Sequence, residues 1–183
     1  DPDRVTGLVL FGGEGARAML DIARKLDASG LPLQLILICG RNQKLADDLR
    51  AHPRRTPWFV EGYTAEIPGY MSLSDFMIGK PGPGSISEAV AMRLPVIVQR
   101  NAATLPQERY NAQWVLEREV GMVVSSFRHI EKTVARLIEP STLARYRANT
   151  AAIQNRAVFE IPEFLERILR LAAPATHGAD SAG

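Results

Sequence analysis

The sequence predicts an α/β domain in which helices cover both faces of a doubly wound, mostly parallel sheet of six strands. Short apolar runs alternate with longer amphipathic stretches, which is the pattern of repeated strand–helix units. A length of 183 residues fits one domain of this class. With 46% hydrophobic and 23% charged residues, the composition is that of an ordinary globular protein. It excludes a coiled coil or a disordered chain as a description of the whole.

The predicted elements follow one another in strict alternation. The six strands are the apolar runs at 7–11, 33–39, 58–62, 75–79, 94–99 and 121–125. Helices are predicted at 16–28, around 45–49, and at 67–71, 85–92, 107–117, 130–138, 141–155 and 160–172. We expect residues 1–173 to form the domain and the small, polar residues 174–183 to be a disordered tail.

Charge and residue usage restrict the partners. The net charge of +2, without a long Lys/Arg block, does not favour nucleic-acid binding. No apolar run reaches the roughly 20 residues that cross a bilayer, and no signal peptide is recognised. The single cysteine excludes an intrachain disulfide and fits a reducing compartment. Three scattered histidines give no ligand cluster, so no metal is expected.

Three glycines follow the first predicted strand in FGGEGA (11–16). Gly12, Gly13 and Gly15 would let a ligand approach the backbone, and the N–H groups at a helix start favour an anion. A phosphate or sugar contact is therefore predicted here. The alternative is a tight strand-to-helix turn that needs glycine only for its backbone angles.

The most informative segment is GKPGPGSISEA (79–89), after the fourth predicted strand. Gly82 and Gly84 leave the backbone bare, and the prolines beside them stiffen it. Because proline has no N–H, the donors for a diphosphate would be the amides of Gly84, Ser85 and Ile86. The segment therefore predicts a rigid diphosphate cradle at a helix start.

Glu88 lies one helical turn beyond Ser85 and is predicted to accept hydrogen bonds from two ribose hydroxyls. The same spacing admits a capping box, in which the Ser85 and Glu88 side chains each accept from the other's backbone N–H. Ligand binding is the favoured interpretation, because a capping box needs no Gly-Pro-Gly before it.

Polar residues also follow the fifth predicted strand, in RNAATLPQERYN (100–111). Gln107 and Glu108 are predicted to begin the next helix and to face the same cleft. The spacing of Thr104 and Gln107 admits a second capping box, and a helix start by itself favours an acidic residue such as Glu108. Cap and ligand contact stay equal alternatives for this pair.

The ends of the second and third predicted strands carry weaker candidates. Arg41 and Asn42 are predicted to reach the cleft, although Asn42 is equally a helix cap. Tyr63 is predicted to lie against a planar base, although an aromatic residue at a strand end is more often packed. Cys39 is interpreted as a small buried residue.

Taken together, these segments resemble glycosyltransferase family 28, and within it the diacylglycerol glycosyltransferases of the monogalactosyldiacylglycerol synthase type. The resemblance runs from about residue 7 to residue 171. It is carried by FGGEGA (11–16), ICGRN (38–42), SLSDFMIG (72–79), GKPGPGSISEA (79–89), LPQERYNA (105–112) and AVFEIPEFL (157–165). The segment after the fourth strand is its most specific part.

The resemblance implies a Rossmann-like domain that forms the C-terminal half of a GT-B glycosyltransferase. That half binds the donor, a uridine diphosphate sugar. The residues that match the family's pattern are Gly82 to Ser85 for the diphosphate, Glu88 for the ribose, Gly62 and Tyr63 for the uracil, and Gln107 and Glu108 for the sugar. An N-terminal, acceptor-binding domain is expected outside this chain.

The implied reaction is the inverting transfer of a hexose to a lipid hydroxyl, without a metal or other cofactor. The resemblance places the base on the other domain, so this chain alone is expected to bind donor without turnover. The full-length protein is expected to be cytoplasmic and peripheral on a membrane face. Pro81 and the Arg109-Tyr110 pair depart from the family's pattern, which affects the choice of sugar and acceptor.

Two other functions fit the same residues. An NADP-binding domain would hold the pyrophosphate on FGGEGA and the 2′-phosphate on Arg41, but it leaves the segment at 79–89 unexplained. A non-catalytic, regulatory nucleotide-binding module would share the fold and need no transfer chemistry.

Overall fold

Six parallel strands form one sheet in the order β3-β2-β1-β4-β5-β6. The strands are β1 (Val5–Leu10), β2 (Leu33–Ile38), β3 (Trp58–Glu61), β4 (Phe76–Gly79), β5 (Val96–Gln99) and β6 (Gly121–Val124). All five strand pairings are parallel. The predicted doubly wound sheet is confirmed, and all six predicted strands are present.

Helices connect the strands and follow the last one. They are α1 (Ala18–Ser29), α2 (Gln43–Ala51), α3 (Ile67–Ser72), α4 (Pro83–Ala91), α5 (Pro106–Glu117), α6 (Ile130–Leu137), α7 (Pro140–Ala152) and α8 (Ala157–Ala172). A short 3-10 turn at Phe127–His129 precedes α6. The structure, a computed structural model, describes residues 1, 3–155 and 157–172. The predicted tail at 174–183 lies outside the described residues.

Helix starts differ from the predictions where glycine and proline set the turn. The helix predicted from residue 16 begins at Ala18, because Gly15 is left-handed at φ +61° and its N–H closes a turn onto Gly12 O at 3.1 Å. The helix predicted from residue 85 begins at Pro83, whose fixed φ suits the first helical position. This second shift changes which backbone amides are free of hydrogen bonds at the start of α4.

The sheet buries an apolar core on each face, because side chains alternate along each strand. Val9, Leu35 and Leu37 face a cluster that also includes residues of α1, α2 and α6. Leu8 and Ile36 face the opposite cluster with residues of α4 and α5. These two layers hold the sheet rigid and leave its carboxyl edge to the loops.

Helices α4 and α5 end in the same unusual way. Arg93 and Glu119 take the left-handed backbone conformation, with φ of 59° and 48°, at the position where glycine is usual. The next residues, Leu94 and Val120, donate their N–H groups back to Ala89 O and Val115 O, which closes each helix. Their buried side chains then lead directly into β5 and β6.

The chain forms two compact units, one of residues 1–153 and one that begins at residue 154. In the second unit, α8 begins three residues before its predicted start and contains Pro162. Its apolar side chains recur at helical spacing and are exposed, among them Ile161, Phe164 and Ile168. No helix in the described ranges is both long and apolar enough to span a bilayer.

Candidate functional site

The strand order places a crevice at the carboxyl ends of β1 and β4. These strands are neighbours, but the chain runs from β1 outward to β2 on one side and from β4 outward to β5 on the other. The loops that follow β1 and β4 therefore diverge, which is where open α/β sheets bind ligands. Gly79 brings the strands close at this point, since a Cβ added there would lie 2.5 Å from Leu10 O.

Helix α4 begins at this crevice with free backbone donors. Gly82 is the N-cap residue and Pro83 the first helical residue, and no side chain caps the helix. Among the described residues, nothing accepts a hydrogen bond from the amides of Gly84 and Ser85, whereas Ile86 N–H already donates to Gly82 O at 3.1 Å. The set of three predicted donors is thus reduced to two, because the helix starts earlier than the sequence suggested.

The capping box considered for Ser85 and Glu88 is not formed, since Ser85 lies inside the first turn and Gly82 is the cap. Glu88 is exposed and makes no side-chain hydrogen bond or ion pair within the part of the chain that the structure describes. Gly84, Ser85 and Glu88 share one helix face, at spacings of three and four residues. A carboxylate without a structural partner therefore stands beside two free amides.

A hollow of about 280 Å³ lies next to this helix start. Its lining includes Phe11 after β1, Lys80 and Pro81 after β4, and Glu108 in the first turn of α5. The rings of Phe11 and Phe127 meet edge to face at 5.7 Å along its wall. Glu108 therefore lines this hollow, whereas its exposed neighbour Gln107 does not.

The second capping box, Thr104 with Gln107, is not formed either. Leu105 is the N-cap residue of α5, and the Thr104 hydroxyl accepts instead from Asn101 N–H at 2.8 Å. Arg109 donates to Thr104 O and Ala102 O, both at 3.1 Å. These bonds brace the loop after β5 from within, so Arg109 has a structural task beside the hollow.

Asn111, which is not among the predicted site residues, links two elements of the site. Its Nδ2 donates to Pro81 O at 2.8 Å and so ties α5 to the loop after β4. No local pattern marks this residue, because the contact joins positions 30 residues apart. It fixes the start of α4 relative to the start of α5.

The glycine loop after β1 packs against the loop after β2. Arg41 N–H donates to Gly13 O at 2.8 Å, and a Cβ at Gly40, which has φ +58°, would collide with that same carbonyl. A Cβ at Gly15 would lie 2.5 Å from Cys39 O. At Gly12, a left-handed φ of 79° calls for glycine, although the space around it is open. The tight-turn alternative therefore accounts for Gly12 and Gly15.

Side chains from the loops after β1, β2 and β3 meet above the sheet edge. Arg41 Nη1 lies 3.2 Å from Glu14 Oε1, and its guanidinium carbon lies 4.5 Å from the centre of the Tyr63 ring. Arg41 and Tyr63, two of the predicted site residues, therefore lie in contact. Glu14, the third member of the group, was not among the predicted residues. Asn42, in contrast, caps α2 by accepting from Leu45 N–H at 3.0 Å.

Glu61, at the end of β3, holds the adjoining loop by two hydrogen bonds. Its carboxylate accepts from the Tyr70 hydroxyl and from Gly62 N–H, each at 2.8 Å. These two bonds, that from Tyr70 first, hold the pKa of Glu61 below its usual value. The Gly62 amide is therefore already satisfied, and Tyr63 is the exposed member of the predicted base-binding pair.

Other candidate chemistry lies elsewhere. Burial raises the pKa of the Cys39 thiol to about 11, so this thiol is un-ionised at neutral pH, as expected of a packed cysteine. A larger hollow of about 770 Å³ lies at the amino ends of the strands, near Gln34, Trp58 and Asp75, and contains none of the predicted site residues. In the described ranges, no three His, Cys, Asp or Glu side chains come together as metal ligands.

Sequence comparisons agree with this architecture. A family model for the glycosyltransferase family 28 C-terminal domain matches residues 8–168. The probable monogalactosyldiacylglycerol synthase 3 of Oryza sativa subsp. japonica is 33% identical over 180 residues, which cover 93% of this chain and 35% of that protein. Monogalactosyldiacylglycerol synthase of Spinacia oleracea is 35% identical over 173 residues, 89% of this chain and 33% of that protein. The chain spans about a third of the length of these curated relatives.

Solved structures share the fold at low sequence identity. MurG of Acinetobacter baumannii matches with a TM-score of 0.74 and 13% identity over 91% of this chain and 51% of that chain. UGT2 of Phytolacca americana, solved with UDP-2-fluoro-glucose and pterostilbene, matches with a TM-score of 0.65 and 15% identity over 93% and 42%. The fold is thus the Rossmann-like half of a GT-B glycosyltransferase. Together with the family match, this means that the chain belongs to glycosyltransferase family 28, as a C-terminal domain of that family.

Proposed function

We propose that this chain is the donor-binding domain of a hexosyltransferase that uses a uridine diphosphate sugar and transfers the sugar, with inversion, to a lipid hydroxyl. The observation that carries the proposal is the start of α4. Two free amides, at Gly84 and Ser85, lie at the switch point of the sheet, with a bare glycine and no capping side chain in front of them. Such a helix start is suited to a diphosphate.

The ribose is assigned to Glu88. Its carboxylate has no partner in the described ranges and lies one turn along the same helix face as the free amides. A carboxylate can accept hydrogen bonds from two neighbouring hydroxyls. The nucleoside would extend from there towards Tyr63, the exposed aromatic ring after β3.

The sugar is assigned to the hollow beside α5, with Glu108 on its wall. The sugar would then lie between the start of α4, where the diphosphate is assigned, and the first turn of α5. Gln107 is kept as a second sugar contact on the strength of the family resemblance. The lipid acceptor is inferred from the names of the relatives, both of them monogalactosyldiacylglycerol synthases.

In this proposal, the domain contributes to the reaction by stabilising the leaving group, which is the nucleoside diphosphate. Negative charge builds up on the diphosphate as its bond to the sugar breaks, and amides already fixed at a helix start need no reorganisation to meet that charge. Removing one such donor typically costs about 3–4 kcal/mol of transition-state stabilisation. The base that takes the proton from the acceptor hydroxyl is assigned to the part of the protein outside this chain.

Calorimetric titration of this chain tests the proposal. UDP, UDP-galactose, UDP-glucose and UDP-N-acetylglucosamine are compared with NADPH. We expect UDP and at least one UDP-sugar to bind and NADPH not to bind. Tight binding of NADPH without UDP would overturn the proposal in favour of a dinucleotide site, and failure of every nucleotide to bind would overturn it outright.

The variant Glu88→Gln sharpens this test. It keeps the size of the side chain but removes the charge, so we expect UDP affinity to fall about 10–100-fold, the range of a charged hydrogen-bonded pair. Glu117→Gln, at the far end of α5, is the matched control and should bind UDP like the wild type. If Glu88→Gln and the control Glu117→Gln bind UDP with equal affinity, Glu88 does not bind the ribose.

A further inference from the structure

The cluster of Glu14, Arg41 and Tyr63 joins three neighbouring loops, and two of its members, Glu14 and Arg41, have no role in the assignment above. Arg41 is anchored through its main chain, by the hydrogen bond of its N–H to Gly13 O and by the left-handed Gly40 before it. Its guanidinium Nη1 lies 3.9 Å from the point where Gly13 would carry a Cβ. The positive charge is therefore held directly over the glycine loop.

The guanidinium itself is not locked in place. The Arg41 side chain is 62% exposed and the Glu14 side chain 80% exposed. Ion pairs this open to water contribute little, because water and salt compete for both charges. The contact with Tyr63 is equally open, with 64% of that residue exposed. A stronger anion at the loop could therefore take Arg41 from Glu14.

We propose that Arg41 is exchanged between two acceptors. In the free protein Glu14 holds it across the Tyr63 ring, and on binding the donor's diphosphate takes it from Glu14. A diphosphate carries more charge than one carboxylate, and its oxygens can accept two parallel hydrogen bonds from a guanidinium. The inference rests on the proposed function, because it takes the ligand to be a nucleoside diphosphate.

Two consequences follow from the exchange. Glu14 opposes donor binding, since its carboxylate competes for Arg41 and repels the diphosphate. Arg41, in leaving the Tyr63 ring, uncovers the aromatic face on which a planar base can stack. Arg41 thus favours nucleotides that carry a diphosphate, whereas Glu14 competes with every anion for Arg41.

The test is a double-mutant cycle on UDP affinity, measured by calorimetry at low salt. Glu14→Gln should tighten UDP binding about twofold to fivefold, as expected for removing one exposed competing charge. Arg41→Gln should weaken it about tenfold, and the gain from Glu14→Gln should vanish in the Arg41→Gln background. At 1 M salt the gain should also vanish. Asp47→Asn, which breaks the comparable exposed pair with Arg50 on α2, is the control and should change nothing.

Each result decides the matter. If wild-type protein binds UDP but Glu14→Gln binds it equally or more weakly, the exchange is wrong while the donor site stands. If the gain persists in the Arg41→Gln background, Glu14 acts without Arg41 and the exchange is also wrong. If the wild type does not bind UDP, the donor site fails and the exchange fails with it. Thermal unfolding of all variants confirms that each is folded.

Discussion

Two groups of glycines lie at the carboxyl edge of the sheet, and their surroundings differ. Gly15 and Gly40, in the loops after β1 and β2, sit against carbonyl oxygens that leave no room for a Cβ. After β4, a Cβ at Gly82 would make only an ordinary contact with Ser85 Oγ at 3.9 Å, and a Cβ at Gly84 would meet nothing within 4 Å. The first group is needed by the fold itself, whereas the second is not. A glycine that the fold does not need points to something else that approaches the backbone.

The largest effect should come from Gly40→Ala. Its Cβ would collide with Gly13 O, and its φ of +58° is strained for alanine, so we expect a loss of about 2–4 kcal/mol in the free energy of unfolding. Denaturant unfolding measures this. Gly30→Ala is the control, because Gly30 has φ +69° but open space, and should lose only about 1 kcal/mol. Equal losses would mean that the two loops are not packed as described.

Gly84→Ala should separate binding from stability. Alanine is the better helix former, so the free energy of unfolding should stay the same or rise by up to about 1 kcal/mol. A Cβ on the face that carries the free amides should nevertheless weaken UDP binding about tenfold or more by blocking close approach. Gly69→Ala in α3, also in open space, is the matched control and should leave affinity unchanged. Unchanged affinity of Gly84→Ala would place the diphosphate elsewhere.

The loop after β3 is held by a carboxylate instead of a glycine, so its stability should depend on pH. The pKa of Glu61 is lowered by its hydrogen bonds, chiefly that from Tyr70, which means that the folded state prefers the ionised carboxylate. This stabilisation is present above the unfolded pKa of glutamate and is lost as pH falls through the folded pKa. Glu61→Gln should cost about 1 kcal/mol at pH 7, measured by denaturant unfolding, and nothing below the folded pKa. A pH-independent difference would contradict this.

The smallest effect concerns a position where glycine is missing. Arg93→Gly should stabilise the protein by up to about 1 kcal/mol, because Arg93 closes α4 with a left-handed backbone at φ 59°. Glu119→Gly relieves a similar strain but removes the ion pair with Arg145 at 2.9 Å, so its gain should be smaller. Thermal unfolding ranks the two. A destabilised Arg93→Gly would show that the arginine side chain makes a contribution larger than the strain.

The strands were predictable because each is a short, mostly apolar run between turn residues. The four inner strands β1, β2, β4 and β5 are also buried over nearly their whole length, which leaves little freedom in residue choice. The starts of α1 and α4 were not predictable, since the exact turn depends on how Gly15 and Pro83 are placed by their neighbours. The local candidates at Gly84, Ser85 and Glu88 could be read from spacing along one helix.

Contacts between distant segments could not be read in this way. Asn111 with Pro81, Glu61 with Tyr70, and Arg41 with Glu14 and Tyr63 all depend on how separate elements are brought side by side. Neither composition nor periodicity carries that information. The same holds for the glycines, because FGGEGA (11–16) and KPGPGS (80–85) are both glycine-rich segments after a strand, and the packing is what distinguishes Gly15 from Gly84.

The amide of Asn111 has a mechanical consequence. By donating a hydrogen bond to the Pro81 carbonyl oxygen, it connects the start of α5 to the start of α4. A displacement of one helix start is then passed to the other, so the proposed diphosphate and sugar positions would keep a constant separation. Without this hydrogen bond, the two proposed positions would be free to move relative to each other.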